Sequence, residues 1–255
     1  MFEITDKIAV VVGASSGLGA DAAIAYADAG AKVALLARRK AKLDHVVKEI
    51  QDKGHEAIAV TCDVTDEENV KKAIEEVISH YGRIDILLNN AGVAVSGGVT
   101  DLKREDWDWA LATNLTGQYL VCKYVVPHML EQNYGKIVNV ASVNAKVADK
   151  DDVFIRHSYN ASKAGVLGLT EGMAASYARY NITVNAVGPG LFESEMTEDT
   201  LMKSEEFLKV YNHLTPASRP GNRGELNGTI LYLSSDASSY VTGQDIYVDG
   251  GFAIV

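Results

Sequence analysis

The sequence predicts an α/β fold: a single doubly wound domain with a seven-stranded parallel sheet and helices on both faces. Three observations predict it. Short apolar runs alternate with longer segments of helical period along the chain, the pattern of strand–helix units that build a parallel sheet. Several of those runs are apolar without alternation, as strands covered on both faces must be. No Pro- or Ser-rich linker, low-complexity tract or fixed-period repeat divides the 255 residues, so 1–255 is taken as one domain.

Taken in order, the strand at 7–12 (KIAVVV) runs through a glycine loop into the Ala-rich helix at 18–29. The strand at 32–37 (KVALLA) precedes a helix at 40–53, and 56–62 (EAIAVTC) precedes one at 66–81. The strand at 84–89 (IDILLN) leads to a long helical stretch at 104–132, and 136–141 (KIVNVA) to another at 158–180. Strands at 182–187 (ITVNAV) and 245–248 (DIYV) complete the sheet, with a helix at 223–235 between them. The segment 191–222 breaks the rhythm. It is expected to form one or two short helices outside the sheet, a small substrate lid over a crevice at the strand ends.

Bulk properties exclude several functions. The chain is 47% hydrophobic and carries a formal charge of −10. Its only basic cluster is ARRK, so no nucleic-acid partner is expected, because such binding rests on clustered cations neutralising phosphates. No apolar run approaches the roughly 20 residues that span a bilayer. The start does not read as a signal peptide, and a cytoplasmic location without membrane attachment is expected. Cys62 and Cys122 read as two separate buried thiols, and the six histidines show no metal-ligand spacing, so no metal is expected. His157 is read as a helix-start residue, and Trp107 and Trp109 as packing residues beside a helix.

The loop after the first strand reads Gly13-Ala14-Ser15-Ser16-Gly17-Leu18-Gly19. Its glycines let the backbone turn tightly and approach a pyrophosphate, whose charge sits at the following helix N-terminus. Strand before and helix after give the motif its meaning, and a dinucleotide-binding (Rossmann) arrangement is expected. The second strand ends in Ala37, followed by Arg38, Arg39 and Lys40, where an acid would hold the 2′-hydroxyl of NAD. A small residue beside guanidinium groups suits a 2′-phosphate, so NADP(H) is favoured and NAD(H) stays open. Asp63 in TCDVTD either holds the adenine edge or caps the next helix, alone or with Thr65. Asn89-Asn90-Ala91-Gly92 closes the fourth strand, as a cofactor-side turn or a purely structural one.

The pieces GASSGLG, CDV, NNAG, Asn114 in ATNLTG, Ser142 in NVASV, YNASK and Pro189-Gly190 in GPG occur in that order, and YVDGG follows near the end. In this ordered set the chain resembles the short-chain dehydrogenase/reductase family, from residue 7 to 251. The resemblance implies a catalytic group of Asn114, Ser142, Tyr159 and Lys163. It implies cofactor contacts from Gly13, Ser15, Ser16, Gly17, Leu18, Gly19, Arg38, Arg39, Asp63, Val64, Asn90, Ala91, Gly92, Tyr159, Lys163, Pro189 and Gly190. A homotetramer is implied too, with a dimer as the alternative, built on the 104–132 helix and a face carrying Gly165, Gly168 and Gly172. Two departures stand out: Val12 replaces the usual Thr before the first glycine, and the stretch from Ser142 to Tyr159 is a few residues longer than usual, with ADKDDVFIRH inserted beside the substrate.

Physical chemistry gives each residue of the group a role. Tyr159 and Lys163 lie four apart on one helix face, and a neighbouring ammonium is expected to lower the phenol pKa. Tyr159 then exchanges a proton with a carbonyl oxygen, Ser142 positions that oxygen, Lys163 holds the nicotinamide ribose, and Asn114 anchors a relay water. The expected substrate is a small carbonyl/alcohol pair such as a sugar acid or polyol, from the likeness of the last quarter of the chain to gluconate 5-dehydrogenases. A 3-oxoacyl thioester reductase or a hydroxysteroid dehydrogenase is the alternative. Acidic residues of the lid weigh against an acidic carrier protein, and Leu191, Phe192, Met196, Leu201, Met202 and Phe207 read as lid packing, with the lining of a pocket for a bulky apolar alcohol as the alternative. A non-catalytic NADP(H)-binding sensor is the alternative of another class.

Overall fold

The computed structural model describes residues 2–148, 155–195, 197 and 201–255. The chain alternates β1 (Ile8–Val12), α1 (Gly17–Asp28), β2 (Lys32–Ala37), α2 (Lys40–Asp52), β3 (Ala57–Thr61), α3 (Glu67–Tyr81) and β4 (Ile86–Asn89). It continues through α4 (Arg104–Leu111), α5 (Gly117–Gln132), β5 (Gly135–Val140), α6 (His157–Tyr177), β6 (Ile182–Pro189), α7 (Glu205–Leu214), α8 (Asn227–Ser234) and β7 (Asp245–Val248). All seven strands join one sheet in the order β3-β2-β1-β4-β5-β6-β7, and every pairing is parallel.

The continuous apolar strands explain the layering. Successive side chains point to opposite faces, so Ala9, Val11, Val33, Leu35 and Leu88 meet α1, α2 and α8 on one side. Val10, Val12, Ala34, Leu36 and Leu87 meet α3, α5 and α6 on the other. Both faces are therefore buried, and polar chemistry is left to the strand ends. β1 and β4 adjoin in the sheet although two strands separate them in the chain. This reversal of strand order opens a crevice at their carboxyl ends.

The structure departs from the expected pattern in one instructive place. The 104–132 stretch is two helices, joined by a π-helical turn at Ala112–Thr116. Such turns shift the helical register and recur at functional sites. Here the turn carries Asn114 inward and packs Leu115 against α6, where a Cβ on Gly165 would lie 2.7 Å from Leu115. Gly165 thus serves an intrachain contact, while added Cβ atoms on Gly168 and Gly172 would meet nothing within 4 Å. Trp109 is 43% exposed rather than packed. Asp66, not Asp63, caps α3 by accepting from the Asn69 backbone N–H. Met196 and most of the inserted 148–157 stretch lie outside the described residues.

Beneath the crevice a buried polar ladder crosses the sheet. The Asn89 amide donates to Asn139 Oδ1 at 3.0 Å, and Asn139 Nδ2 donates to Thr170 Oγ1 at 2.9 Å. It pins β4, β5 and α6 in mutual register beneath the site. Asn139→Ala leaves the Asn89 amide with only the weak Cys122 Sγ acceptor and takes the Asn139 donor from the Thr170 hydroxyl, and is expected to cost about 2 kcal/mol. Equilibrium urea unfolding checks this; a loss below about 0.5 kcal/mol would mean the ladder does not hold the layers.

Candidate active site

The carboxyl ends of the strands border one cleft of about 580 Å³, within the roughly 300–1,000 Å³ usual for small-molecule sites. The glycine loop forms one wall. Gly13 and Gly17 take positive φ of 78° and 55°, backbone that other residues adopt only under strain. A Cβ on Gly19 would stand 2.3 Å from Gly13 O and 2.4 Å from Asn90 Nδ2, so only glycine permits this packing of α1 on the loop. Asn90 Nδ2 donates to Gly13 O, which ties the end of β4 to the loop. Gly13, Ser15, Ser16, Gly17, Leu18, Asn90, Ala91 and Gly92 all line the cleft at the start of α1, and this cradle fits a dinucleotide pyrophosphate.

At the far end of the loop lies a set of cations and hydroxyls. Arg39 Nη2 donates to Ser15 Oγ at 3.1 Å and to Ser16 Oγ at 3.0 Å. The same guanidinium grips Glu195 with two parallel bonds, Nη1 to Oε1 at 2.8 Å and Nη2 to Oε2 at 2.7 Å. Lys42 and Ser16 also bond the Glu195 carboxylate. Arg39, Lys42 and Ser16, in that order, hold this carboxyl well below the usual carboxylate range. Arg38 lines the cleft toward Asp63. Burial opposes the Asp63 charge, but bonds from the Thr65 N–H and hydroxyl and the charge of Arg38 outweigh it, so Asp63 is held below its ordinary value. The fork on the loop is thus made by Arg39, with Arg38 facing the Asp63 side. Val64, Pro189 and Gly190 line the cleft as expected.

The carboxyl end of β5 and the first turns of α6 build the other centre. Ser142, just past β5, accepts from the Asn144 N–H at 3.1 Å and is hydrogen-bonded to the Tyr159 phenol. Burial raises the phenol pKa, against lowering by Ser142 and by the charge of Arg156. The sequence points the other way, to a phenol lowered by Lys163. The difference is geometric: Lys163 Nζ lies 5.7 Å from the Tyr159 ring centroid and donates to Val140 O at 2.7 Å. Burial brings the Lys163 ammonium down to about 8.

Asn114 is fully buried and does not line the cleft. Its Oδ1 accepts from Val93 N at 2.7 Å, while its Nδ2 donates to Val93 O and to Ser162 Oγ. Ser162 in turn donates to the Tyr159 carbonyl at 2.9 Å. The Asn114 side chain therefore clamps the β4 loop to the helix that carries Tyr159. Val93, Ser162, Lys42 and Glu195 escape sequence reasoning because only the packing brings them here. His157 opens α6 and accepts from Val99 N at 3.1 Å, outside this cleft.

The remaining wall is apolar, with Leu191, Phe192, Leu201, Phe207, Val210 and Leu214 on the segment after β6 and Phe252 beyond β7. Tyr211 stacks on Phe252 with centroids 5.2 Å apart and accepts from Leu191 N at 3.1 Å, which anchors this wall. Among the described residues, no cluster of three His, Cys, Asp or Glu side chains is placed to hold a metal ion, and no helix is long and apolar enough to cross a membrane. Both cysteines are buried, with thiols pushed up to about 12 by burial.

Comparison with known proteins adds a second line. A family model described as enoyl-(acyl carrier protein) reductase matches residues 13–253. The chain belongs to the short-chain dehydrogenase/reductase family. This oxidoreductase is 40% identical over 248 residues to a 3-oxoacyl-[acyl-carrier-protein] reductase of Thermotoga maritima, covering 97% of this chain and 98% of that one. It superposes on a short-chain type dehydrogenase/reductase from Mycobacterium marinum with a TM-score of 0.94 at 35% identity, over 100% of this chain and 98% of the other. A gluconate 5-dehydrogenase from Burkholderia cenocepacia, solved with NADP and tartrate, gives a TM-score of 0.94 at 34% identity with the same coverage.

The buried Lys163 has a cost in stability with a defined sign. Its pKa of about 8 in the fold lies below the ordinary lysine value, so at neutral pH the folded state holds a charge it disfavours. The penalty is full below about pH 8 and is relieved as pH rises toward the unfolded value of about 10.4. Lys163→Met is therefore expected to be more stable than the parent at neutral pH, by about 1–3 kcal/mol. That advantage should shrink as pH approaches about 10, in denaturant unfolding followed at several pH values.

Proposed function

We propose that this enzyme interconverts a ketone and a secondary alcohol with NADP(H), using Tyr159 as the proton carrier. The observation that carries the reading is the convergence, in one cleft, of the Ser142–Tyr159 hydrogen bond and the Arg39 fork beside the glycine loop. Gly13, Gly17 and Leu18 would hold the pyrophosphate of NADP(H), and Arg39, Ser15 and Ser16 its 2′-phosphate. The bound cofactor would supply the hydride. Gly92, beside Lys163 Nζ, would leave room for the nicotinamide ribose, which Lys163 would hold.

The remaining steps belong to the protein. Ser142 positions the substrate oxygen next to the phenol, and Tyr159 gives that oxygen its proton in the reducing direction. A phenol raised by burial stays protonated at neutral pH, the form that reduction needs. Asn114 is a positioning residue here: through Val93 and Ser162 it fixes the cleft around Tyr159. The segment 191–222 acts as the lid of this single domain.

For the substrate, the apolar wall of Leu201, Phe207, Val210, Leu214 and Phe252 supports a 3-oxoacyl chain ahead of a sugar acid. The likeness to the Thermotoga maritima enzyme supports the same order. A sugar-acid substrate is the second reading, favoured by Arg156 and Asn144 in the cleft beside Ser142.

Tyr159→Phe is expected to lower kcat by about 10²–10⁴ while NADPH binding, followed by nucleotide fluorescence, stays within about twofold. Full turnover in this variant would remove Tyr159 as proton carrier. In the parent, reduction is expected to persist through neutral pH, whereas alcohol oxidation, which needs the phenolate, rises into the alkaline range. Initial rates with an acetoacetyl thioester and with 5-ketogluconate decide the substrate class. A higher kcat/KM for the thioester supports the acyl reading, and the reverse order supports the sugar acid.

A further inference from the structure

We propose that Glu195 is a specificity-determining residue for the cofactor. Its carboxylate takes the place of the 2′-phosphate on Arg39, Lys42 and Ser16, and only a 2′-phosphorylated dinucleotide displaces it. The inference rests on the NADP(H) reading above and extends it to a residue of the segment after β6.

The geometry is that of an anion already bound. Glu195 receives both arms of the Arg39 fork, at 2.8 and 2.7 Å, together with Lys42 and the Ser16 hydroxyl. Two parallel N–H donors match a carboxylate or a phosphate equally, and one guanidinium edge holds only one of them in this way. Glu195, Arg39, Ser15 and Ser16 line the same cleft, so the contact lies inside the cofactor crevice rather than on the outer surface.

A second observation places the neighbouring backbone over the glycine loop. A Cβ on Gly17 would stand 3.1 Å from Ser194 Cβ and 3.9 Å from Glu195 N. The segment after β6 therefore rests on the loop at both Ser194 and Glu195. Seating a 2′-phosphate on the same edge of Arg39 requires the Glu195 carboxylate to leave.

The exchange is within reach of the ligand. Arg39 and Glu195 side chains are 48% and 43% exposed, so the pair is a solvent-screened one and not a deeply buried lock. A phosphate monoester carries about −1.5 to −2 charges against one for the carboxylate, so it is the stronger ligand for the same cations. A ribose 2′-hydroxyl has no charge with which to compete, and NAD(H) leaves the Glu195 contact in place. Glu195 thus reduces the apparent affinity for NADP(H) by the fraction of time it holds the fork, and leaves NAD(H) untaxed.

The test measures binding of NADPH, NADH, 2′,5′-ADP and 5′-AMP to the full chain, using nucleotide fluorescence and calorimetry. It compares the parent with Glu195→Gln and, as a second variant, Glu195→Ala. The expected result is a Kd about tenfold lower for NADPH and 2′,5′-ADP in both variants, with NADH and 5′-AMP changed less than about twofold. An NADPH affinity that is unchanged or weaker, or equal tightening of NADPH and NADH, overturns the proposal. If the parent prefers 2′,5′-ADP over 5′-AMP but the variants show no gain, the Glu195 role fails and the NADP(H) reading stands. If neither the parent nor the variants bind 2′,5′-ADP more tightly than 5′-AMP, both fall.

Discussion

A parallel sheet buried on both faces leaves almost no place for polar chemistry except the ends of its strands. In this chain Val10, Leu35, Leu87 and Ile137 are fully inaccessible, with helices packed above and below them. Burying a polar group in those layers demands a partner, which the Asn89–Asn139–Thr170 ladder provides in one place. The residues of the candidate site therefore gather at the carboxyl edge. There the reversal of strand order between β1 and β4 separates two loops and opens the cleft.

The two ends of that cleft use opposite electrostatic strategies. At the Arg39 end, charges are half exposed and densely paired, which suits exchange of one anion for another. At the Tyr159 end, burial dominates: it raises the phenol and lowers the ammonium, so both groups are driven toward neutrality. The Lys163 ammonium finds a backbone carbonyl rather than a carboxylate, and thus retains a proton it holds weakly.

The π-helical turn at Ala112–Thr116 links the Tyr159 end to the scaffold. It carries Asn114 to Val93 and Ser162, and Leu115 to the surface of α6 at Gly165. The Asn114 side chain thus acts through the loops and helix it clamps, with Ser162 as its link to the Tyr159 backbone.

The sequence by itself determined the sheet and the glycine loop, which are written in local patterns: continuous apolar runs and glycines at required turns. Spacing also put Tyr159 and Lys163 on one helix face, whereas Ser142 and the grouping of the three were legible only through the resemblance of the ordered motifs to a family. Only the tertiary structure decided that Arg39 makes the fork, that Asp66 rather than Asp63 caps α3, and that Asn114 is a buried clamp. Glu195 lies 156 residues from Arg39, and no local signal marks that meeting. The direction of the Tyr159 shift was likewise out of reach. Spacing places the lysine near the phenol, but desolvation depends on how completely the surrounding loops close over both groups, and that is a property of packing.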